Sequence, residues 1–163
     1  MFFKKNHHES ATDSEFCQTE QLVMRQVPEK PLFIVSACLV GLCTRYDGTV
    51  KPNPSCLKFL QGATWIPVCP EQLGGLPTPR PAADILSGDG YDVLKQTATV
   101  ATSAGADLST PFIKGAKQVL QIARNQNVTG ACLKARSPSC AVSGTIGVTA
   151  ALLREEGLTL HEF

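Results

Sequence analysis

A thiol, a rigid proline and a carboxylate stand together in the segment Cys69-Pro70-Glu71, directly after the apolar run 65–68. Two further cysteines hold comparable places: Cys38 closes another apolar run, and Cys140 ends the segment 137–140. A thiolate is a soft metal ligand, and a carboxylate can accept or release a proton. These residue types predict a metal centre held by Cys38, Cys69 and Cys140, with Glu71 beside it to move protons.

Three thiolates leave a metal centre without its usual fourth protein ligand. In a zinc site, water or Glu71 fills that position. In a four-iron cluster, three cysteines hold three irons and the fourth iron stays open as a Lewis acid. The chain contains no CxxC pair, HExxH, GxGxxG or P-loop lysine motif. Spacing alone leaves two alternatives open, namely inert buried thiols and a nucleophilic or redox cysteine.

The first residues of the chain and its odd number of cysteines both favour a reducing environment. Residues 1–9 turn polar at once and lack the apolar middle of a secretory signal, so we expect a cytoplasmic protein, in which disulfides are rare. Because seven is an odd number of cysteines, we do not expect a complete disulfide framework. We expect Cys56 and Cys132 to be buried as small apolar residues and Cys17, in a polar tail, to be idle.

Composition limits the class of protein. The chain has 163 residues, of which 43% are hydrophobic and 18% charged, which fits one globular domain with a core. The formal net charge is +1 and no basic block occurs, so we expect no nucleic-acid partner. No apolar stretch approaches the roughly 20 residues of a membrane helix, so we expect no membrane partner. Residues 1–30 have little apolar periodicity and are predicted to be a flexible extension preceding a domain at 31–163.

Short buried strands alternate with helices from residue 31 onward. Apolar runs predict strands at 32–37, 64–68, 128–133 and 158–161. Helical patterns cover 55–60, 110–125 and 146–156. Loops are predicted at 38–50, 69–83 and 134–145, and a hairpin or peripheral excursion at 84–101. This order predicts an α/β fold, a small, mostly parallel sheet flanked by helices in a Rossmann-like three-layer single domain. Ligands bind at the carboxyl ends of such strands, where the three cysteines fall.

Several candidate residues have plausible structural roles. Glu71 is placed to cap a helix N-terminus, and Arg80 either pairs with Glu71 or binds a substrate oxygen. Ser137 and Ser139 are placed to cap the turn that follows residues 134–136. Asp47 precedes Gly48, and Asp-Gly is a strong turn signal.

Three segments together resemble the motifs of the thiouracil desulfidases, a family of iron–sulfur enzymes. The segments are 35–41 with 45–48, 68–80, and 133–140. The second and third are long and specific, and the resemblance covers the chain from residue 31 to its C-terminus. The residues before 31 lie outside it.

The resemblance implies a [4Fe-4S] cluster held by Cys38, Cys69 and Cys140. It implies a catalytic glutamate at Glu71 and leaves the nearby Cys43 open as a replacement for Cys38. The implied partner besides the substrate is the iron–sulfur assembly machinery that loads the cluster. The oligomeric state is not fixed by the sequence.

The implied reaction is the non-redox desulfuration of a thiolated pyrimidine, such as 2- or 4-thiouracil, to uracil and hydrogen sulfide. The open iron polarises the C–S bond, and a water activated by Glu71 attacks the carbon. A catalytic serine positions that water; Ser137 and Ser139 both fit the motif. The alternative function is an iron–sulfur protein that binds or carries sulfide or a thio-compound without turnover. A structural zinc domain is a third hypothesis.

Overall fold

The computed structural model describes residues 30–163. Within that range the elements, in chain order, are β1 (Leu32–Ser36), a 3₁₀ turn (Ala37–Val40), α1 (Pro54–Phe59), β2 (Thr64–Val68), α2 (Pro70–Leu73), β3 (Ala83–Leu86), α3 (Gly90–Leu94), β4 (Thr99–Thr102), α4 (Ser109–Asn125), β5 (Gly130–Leu133), α5 (Val148–Glu155) and β6 (Thr159–Glu162). The predicted extension at residues 1–30 lies outside the described residues except for Lys30. The prediction for Cys17 also lies outside them.

Four strands form one parallel sheet in the order β2-β1-β5-β6. β1 is central, and its Ile34 pairs in register with Ile66 of β2 and Ala131 of β5. Side chains alternate between the two faces of a strand. Accordingly, Ile34 packs in the cluster built with α4 and α5, whereas Val35 packs with residues of α1 on the other face. The predicted α/β fold, with helices on both faces of a small parallel sheet, is confirmed.

The long helix α4 matches its predicted range to within one residue at its start. Its buried stripe consists of Phe112, Gly115, Ala116, Val119, Leu120 and Ala123. Ser109 begins the helix, and its hydroxyl oxygen accepts a hydrogen bond from the Val100 N–H of β4 (2.9 Å). Its hydroxyl therefore ties α4 to the hairpin rather than capping it.

The segment 84–101, predicted as a hairpin or excursion, contains an additional helix. β3 and β4 pair antiparallel, and α3 lies between them in the chain. Asp89 caps α3 by accepting from Tyr91 N and Asp92 N, and Asp92 completes a capping box. Val93 of α3, Val100 of β4 and Phe112 of α4 share one apolar cluster, which attaches the hairpin to the main domain.

The prediction that residues 69–83 are wholly irregular is wrong at its start, where α2 forms. Pro70 suits the first position of a helix because it lacks an N–H that would be unpaired there. The helix is only four residues long, which is too short for a periodic signal in the sequence. In the part of the chain that the structure describes, no helix is long and apolar enough to cross a membrane.

α2 packs on α4 through backbone contacts that leave no room for a side chain. A Cβ on Gly115 would lie 1.9 Å from the carbonyl oxygen of Pro70, and one on Gly74 would lie 2.1 Å from that of Pro111. Two glycines therefore let the segment that carries Cys69 and Glu71 sit directly against the longest helix.

Gly115→Ala is expected to destabilise the protein by about 1–3 kcal/mol, because the added methyl forces the two backbones apart. This destabilisation acts against the gain of about 1 kcal/mol in helix propensity that replacing Gly by Ala otherwise brings, and we expect it to exceed that gain. Urea unfolding of the cluster-free protein measures it. Lys117→Ala, on the exposed face of the same helix, is the control. A Gly115→Ala protein as stable as wild type would mean that this close approach is not needed.

Candidate active site

The three candidate ligands reach one edge of the sheet because each follows a neighbouring strand. Cys38 lies in the 3₁₀ turn after β1, Cys69 directly follows β2, and Cys140 lies in the turns after β5. β2, β1 and β5 are adjacent and parallel, so their carboxyl ends lie side by side. All three cysteines line a single cavity of about 470 Å³, together with Glu71 and Ser137.

Burial raises the pKa of each of these thiols. For Cys140, which is 4% exposed, burial raises the pKa to about 12, and the charges of Glu71, Cys38 and Cys69 add to the increase. Burial also raises the pKa of Cys38, with a further contribution from a charge on Cys69, and it raises the pKa of Cys69. The mutual effects show that the three sulfurs are close enough to repel one another as thiolates.

Cations partly offset this crowding of negative charge. Lys134 and Arg45 lower the pKa of Cys38 against the larger effect of burial, and Arg80 lowers that of Cys69 in the same way. Lys134 and Arg45 line the cavity. A positively charged centre bound between these thiols would stabilise their thiolate forms, as a bound metal does.

The other cysteines separate clearly from this group. Cys43, the possible replacement for Cys38, is exposed, and its thiol donates to the carbonyl oxygen of Gly48 (3.2 Å) outside the cavity lining. Cys56 and Cys132 are 0% exposed, which confirms that they are buried. Contact with Cys56, followed by burial, raises the pKa of the Cys132 thiol.

Glu71 is held by an arginine rather than acting as a helix cap. It lies in the first turn of α2, where its Oε2 accepts a 2.6 Å hydrogen bond from Arg80 Nε. The side chains are 15% and 4% exposed, respectively. Oε1 of Glu71 has no hydrogen-bond partner among residues 30–163. One carboxylate oxygen is thus fixed, while the other is available to the cavity that Glu71 lines.

The two candidate serines lie in different surroundings. Ser137 lines the cavity, and its Oγ accepts hydrogen bonds from Ser139 N (3.3 Å) and Cys140 N (3.2 Å). The expected turn-capping role is therefore present in Ser137, whose own O–H remains available as a donor. Ser139 is 1% exposed and outside the cavity lining, and its hydroxyl lacks a partner within the described chain.

The turn that carries Cys140 is fixed by the start of α5. Val148 N donates to Pro138 O (2.9 Å), and Thr149 N donates to Ser139 O (2.8 Å). A Cβ on Gly147 would lie 2.4 Å from the carbonyl carbon of Ser139, so the helix start needs a glycine to come this close. The unpaired N–H groups of a helix terminus are used here to hold a ligand-bearing turn.

Ser36 is a site residue that the sequence patterns did not single out. It ends β1, is 2% exposed, and accepts a hydrogen bond from Lys134 N (3.1 Å). Ser36 lies close enough to Cys140 to lower the pKa of that thiol, against the larger opposite effect of burial. Nothing in the run 34–37 distinguishes this serine from an ordinary strand residue, so only the structure reveals it.

Ser36→Ala is expected to weaken the hold on any metal centre that Cys140 binds, because the Ser36 hydroxyl, which lies beside Cys140, can no longer donate to its thiolate. The loss of one such bond corresponds to about 0.5–1.5 kcal/mol, or a roughly two- to twelvefold faster release of metal. Loss of iron to a chelator under anaerobic conditions measures it. Ser143→Ala, in the loop that follows Cys140, is the control, and equal rates in wild type and Ser36→Ala would contradict the role.

Arg45 and Tyr46 line the same cavity next to the predicted turn residue Asp47. Asp47 accepts from Thr49 N (3.0 Å) and pairs with Arg45, which confirms its turn role. The hydrogen bonds from Thr49, with a smaller contribution from Arg45, lower the pKa of this exposed carboxyl to about 2. The turn thereby helps to position residues 44–46, which line the cavity.

The chemistry of the donor set fits an iron–sulfur cluster. Three thiol side chains line one cavity, and in such a cluster the cysteine ligands bind separate irons. The cavity also contains a buried hydroxyl, Thr44 Oγ1, that has no partner in this part of the chain. Cys38, Cys69 and Cys140 are therefore the residues that would hold a [4Fe-4S] cluster.

Most of this chain matches a known protein family. Residues 33–162 match the family described as 2-thiouracil desulfurase. The chain belongs to the 2-thiouracil desulfurase family. This membership confirms the family expected from the three sequence motifs.

Two relatives illustrate the likeness within the family. The uncharacterized protein YbbK of Bacillus subtilis (strain 168) is 37% identical over 138 residues, covering 77% of this chain and 91% of YbbK. The structure of the [4Fe-4S]-dependent thiouracil desulfidase TudS is similar, with a TM-score of 0.68 and 36% identity, covering 82% of this chain and 91% of TudS. The fold and the candidate site both lie within the family match.

Proposed function

We propose that this protein is a [4Fe-4S]-dependent desulfidase that converts a thiolated pyrimidine of the thiouracil type to uracil and hydrogen sulfide. The observation that carries the proposal is the convergence of Cys38, Cys69 and Cys140 with Glu71 on one cavity. The similarity to TudS, at 36% identity, supports the substrate class. The cavity of about 470 Å³ is in the size range of small-molecule sites.

The cluster would be held by the three cysteines. When bound, it supplies an iron that has no protein ligand and acts as a Lewis acid toward the sulfur of the substrate. The reaction is redox-neutral: water is consumed, the C–S bond breaks, a C–O bond forms, and hydrogen sulfide leaves. The chain's own side chains therefore have to position water and transfer protons.

Glu71 acts as the general base. Its Oε2 is occupied by Arg80, so Oε1 accepts a proton from the water that attacks the substrate carbon. This proton then passes to the departing sulfur, which restores the carboxylate, and the second proton of the water follows as the new C–O bond becomes a carbonyl, so that uracil and hydrogen sulfide are released. Glu71 is close to the proposed ligand Cys69 because both lie at the start of α2, and proton transfer requires hydrogen-bond reach.

Ser137 is the catalytic serine in this proposal. Its hydroxyl oxygen accepts two backbone N–H groups, which fixes the oxygen and leaves the O–H to donate into the cavity. A donor at this point orients the attacking water or the substrate. Ser139, which is buried outside the cavity lining, instead lies against the start of α5.

The cellular location and the partners of the protein are proposed on the same basis. The cysteines of residues 30–163 all carry free thiols, which suits the reducing cytoplasm. A thiolated base is the small-molecule partner, and the iron–sulfur assembly machinery delivers the cluster.

Anaerobic purification followed by incubation with 2- and 4-thiouracil tests the proposal. Iron and acid-labile sulfide are counted, and the base is followed by chromatography. Four irons per chain and the appearance of uracil support a desulfidase. Ligand binding without uracil would indicate a sulfur carrier, and equimolar zinc without labile sulfide would indicate a structural zinc domain; either result would overturn the proposal.

A further inference from the structure

Arg80 is a buried cation whose donors are all used inside the protein. Its guanidinium has five N–H groups in a planar fork. Nε donates to Glu71, and Nη1 donates to the Pro77 carbonyl oxygen (3.2 Å) and to Thr78 Oγ1 (3.0 Å). Nη2 donates to the Thr44 carbonyl oxygen (3.0 Å) and lies 4.0 Å from Cys69 Sγ. A group so fully engaged is not available to bind a substrate oxygen.

The contacts of Arg80 join three separate parts of the site. They reach Thr44 in the loop after β1, Glu71 in α2, and the segment 77–78 that leads to Arg80 itself. The backbone N–H of Arg80 also donates to the Tyr46 carbonyl oxygen (2.8 Å). Because the side chain is only 4% exposed, these bonds are shielded from water and hold one geometry.

Arg80 and Cys69 share a hydrogen-bond acceptor, the carbonyl oxygen of Thr44. The carbonyl oxygen of Thr44 accepts from Arg80 Nη2 and from the Cys69 thiol (3.7 Å). A thiolate has no proton to donate, so ligation would remove the second bond. Arg80 Nη2, at 4.0 Å, is then the donor already in place beside the sulfur.

We propose that Arg80 is a positioning residue that fixes the Glu71 carboxylate so that Oε1 faces the cavity, and that joins it mechanically to the loop 44–46 and to Cys69. The inference rests on the proposed function, because Glu71 is taken as the base. A lysine cannot replace this fork, since an ammonium carries its donors on one nitrogen, whereas Arg80 reaches Glu71, the 77–78 segment and Thr44 from three different nitrogens.

Arg80→Lys is the variant that tests the role, because it keeps the charge and removes the fork. We expect iron and labile sulfide within twofold of wild type, a kcat for 2-thiouracil lowered about 10–100-fold, and a KM changed less than about threefold, as expected when a base is misplaced by about 1 Å. Arg124→Lys is the matched control, because Arg124 makes an Arg–Glu pair with Glu156 at the surface, far from the cavity. In Arg80→Ala, added guanidinium ion should restore part of the lost kcat.

A wild-type kcat in Arg80→Lys would overturn the proposal. So would a fall in iron content that accounts for the whole loss of activity, since Arg80 would then serve assembly of the centre only.

A second readout does not need turnover. In urea unfolding of the cluster-free protein, Arg80→Lys should lower the midpoint, and the shift should be smaller in the Glu71→Ala background, where the contact between position 71 and Arg80 is already absent. A full shift in both backgrounds would overturn the Arg80–Glu71 connection. Absence of uracil formation by wild type would instead count against the proposed function, while leaving this comparison intact.

Discussion

If the proposed function holds, we expect Glu71→Gln to leave the iron and labile sulfide of the protein at wild-type levels and to lower the turnover of 2-thiouracil by about 10²–10⁴-fold, the usual contribution of a positioned general base. The substitution keeps the shape of the side chain. Its amide oxygen still accepts the hydrogen bond from Arg80 Nε that Oε2 accepts in the native protein. What is lost is the ability of the other terminal atom to take a proton.

The measurement is uracil formation under single-turnover and steady-state conditions, normalised to iron content. Glu155→Gln, at an exposed position of α5, is the matched control and should retain wild-type turnover. If Glu71→Gln releases sulfide at the wild-type rate, another group is the base, and the role given to Glu71 is wrong.

Replacement of any one of Cys38, Cys69 or Cys140 by serine should reduce the iron bound per chain to near zero and abolish desulfuration. With three protein ligands, the loss of one thiolate leaves the cluster attached at two corners, and serine is a poor substitute for a soft sulfur ligand. Iron, labile sulfide and the visible absorption of the anaerobic protein measure the loss.

Cys43→Ser provides the matched control for these variants. Cys43 is exposed, outside the cavity lining, and bonded to Gly48 O, so this variant should keep its full iron content. Thermal unfolding of each cluster-free variant shows whether the chain still folds. Full iron content in Cys38→Ser, combined with loss in Cys43→Ser, would move the ligand from position 38 to position 43.

The sheet could be predicted because its strands are short apolar runs, although β5 is buried throughout whereas the edge strand β2 is exposed at Thr64, Trp65 and Pro67. β2 has the predicted range, and β1 differs by one residue at its end. The convergence of the cysteines also followed, since parallel strands end at the same edge. The four-residue helix α2 was missed because its length is barely one turn, which gives no repeat of apolar positions for the 3.6-residue period to reveal.

The details of the site depend on contacts between residues distant in sequence. The pairing of Arg80 with Glu71 was one of two possibilities weighed, and only the fold decides it. Ser36 lies beside Cys140 because β1 lies next to β5, which no local pattern encodes. The difference between Ser137 and Ser139 arises in the same way: the start of α5 packs over Ser139 and leaves Ser137 at the cavity.

The placement of the proposed ligands after three separate strands has a consequence for biogenesis. Cys38, Cys69 and Cys140 approach one another only after β1 has paired with both β2 and β5. A nascent polypeptide on the ribosome, with Cys140 not yet made, would have no complete site for the proposed iron–sulfur centre. Under this proposal maturation would follow folding, and the inserted centre would stabilise the native state, which alone gathers the three thiols.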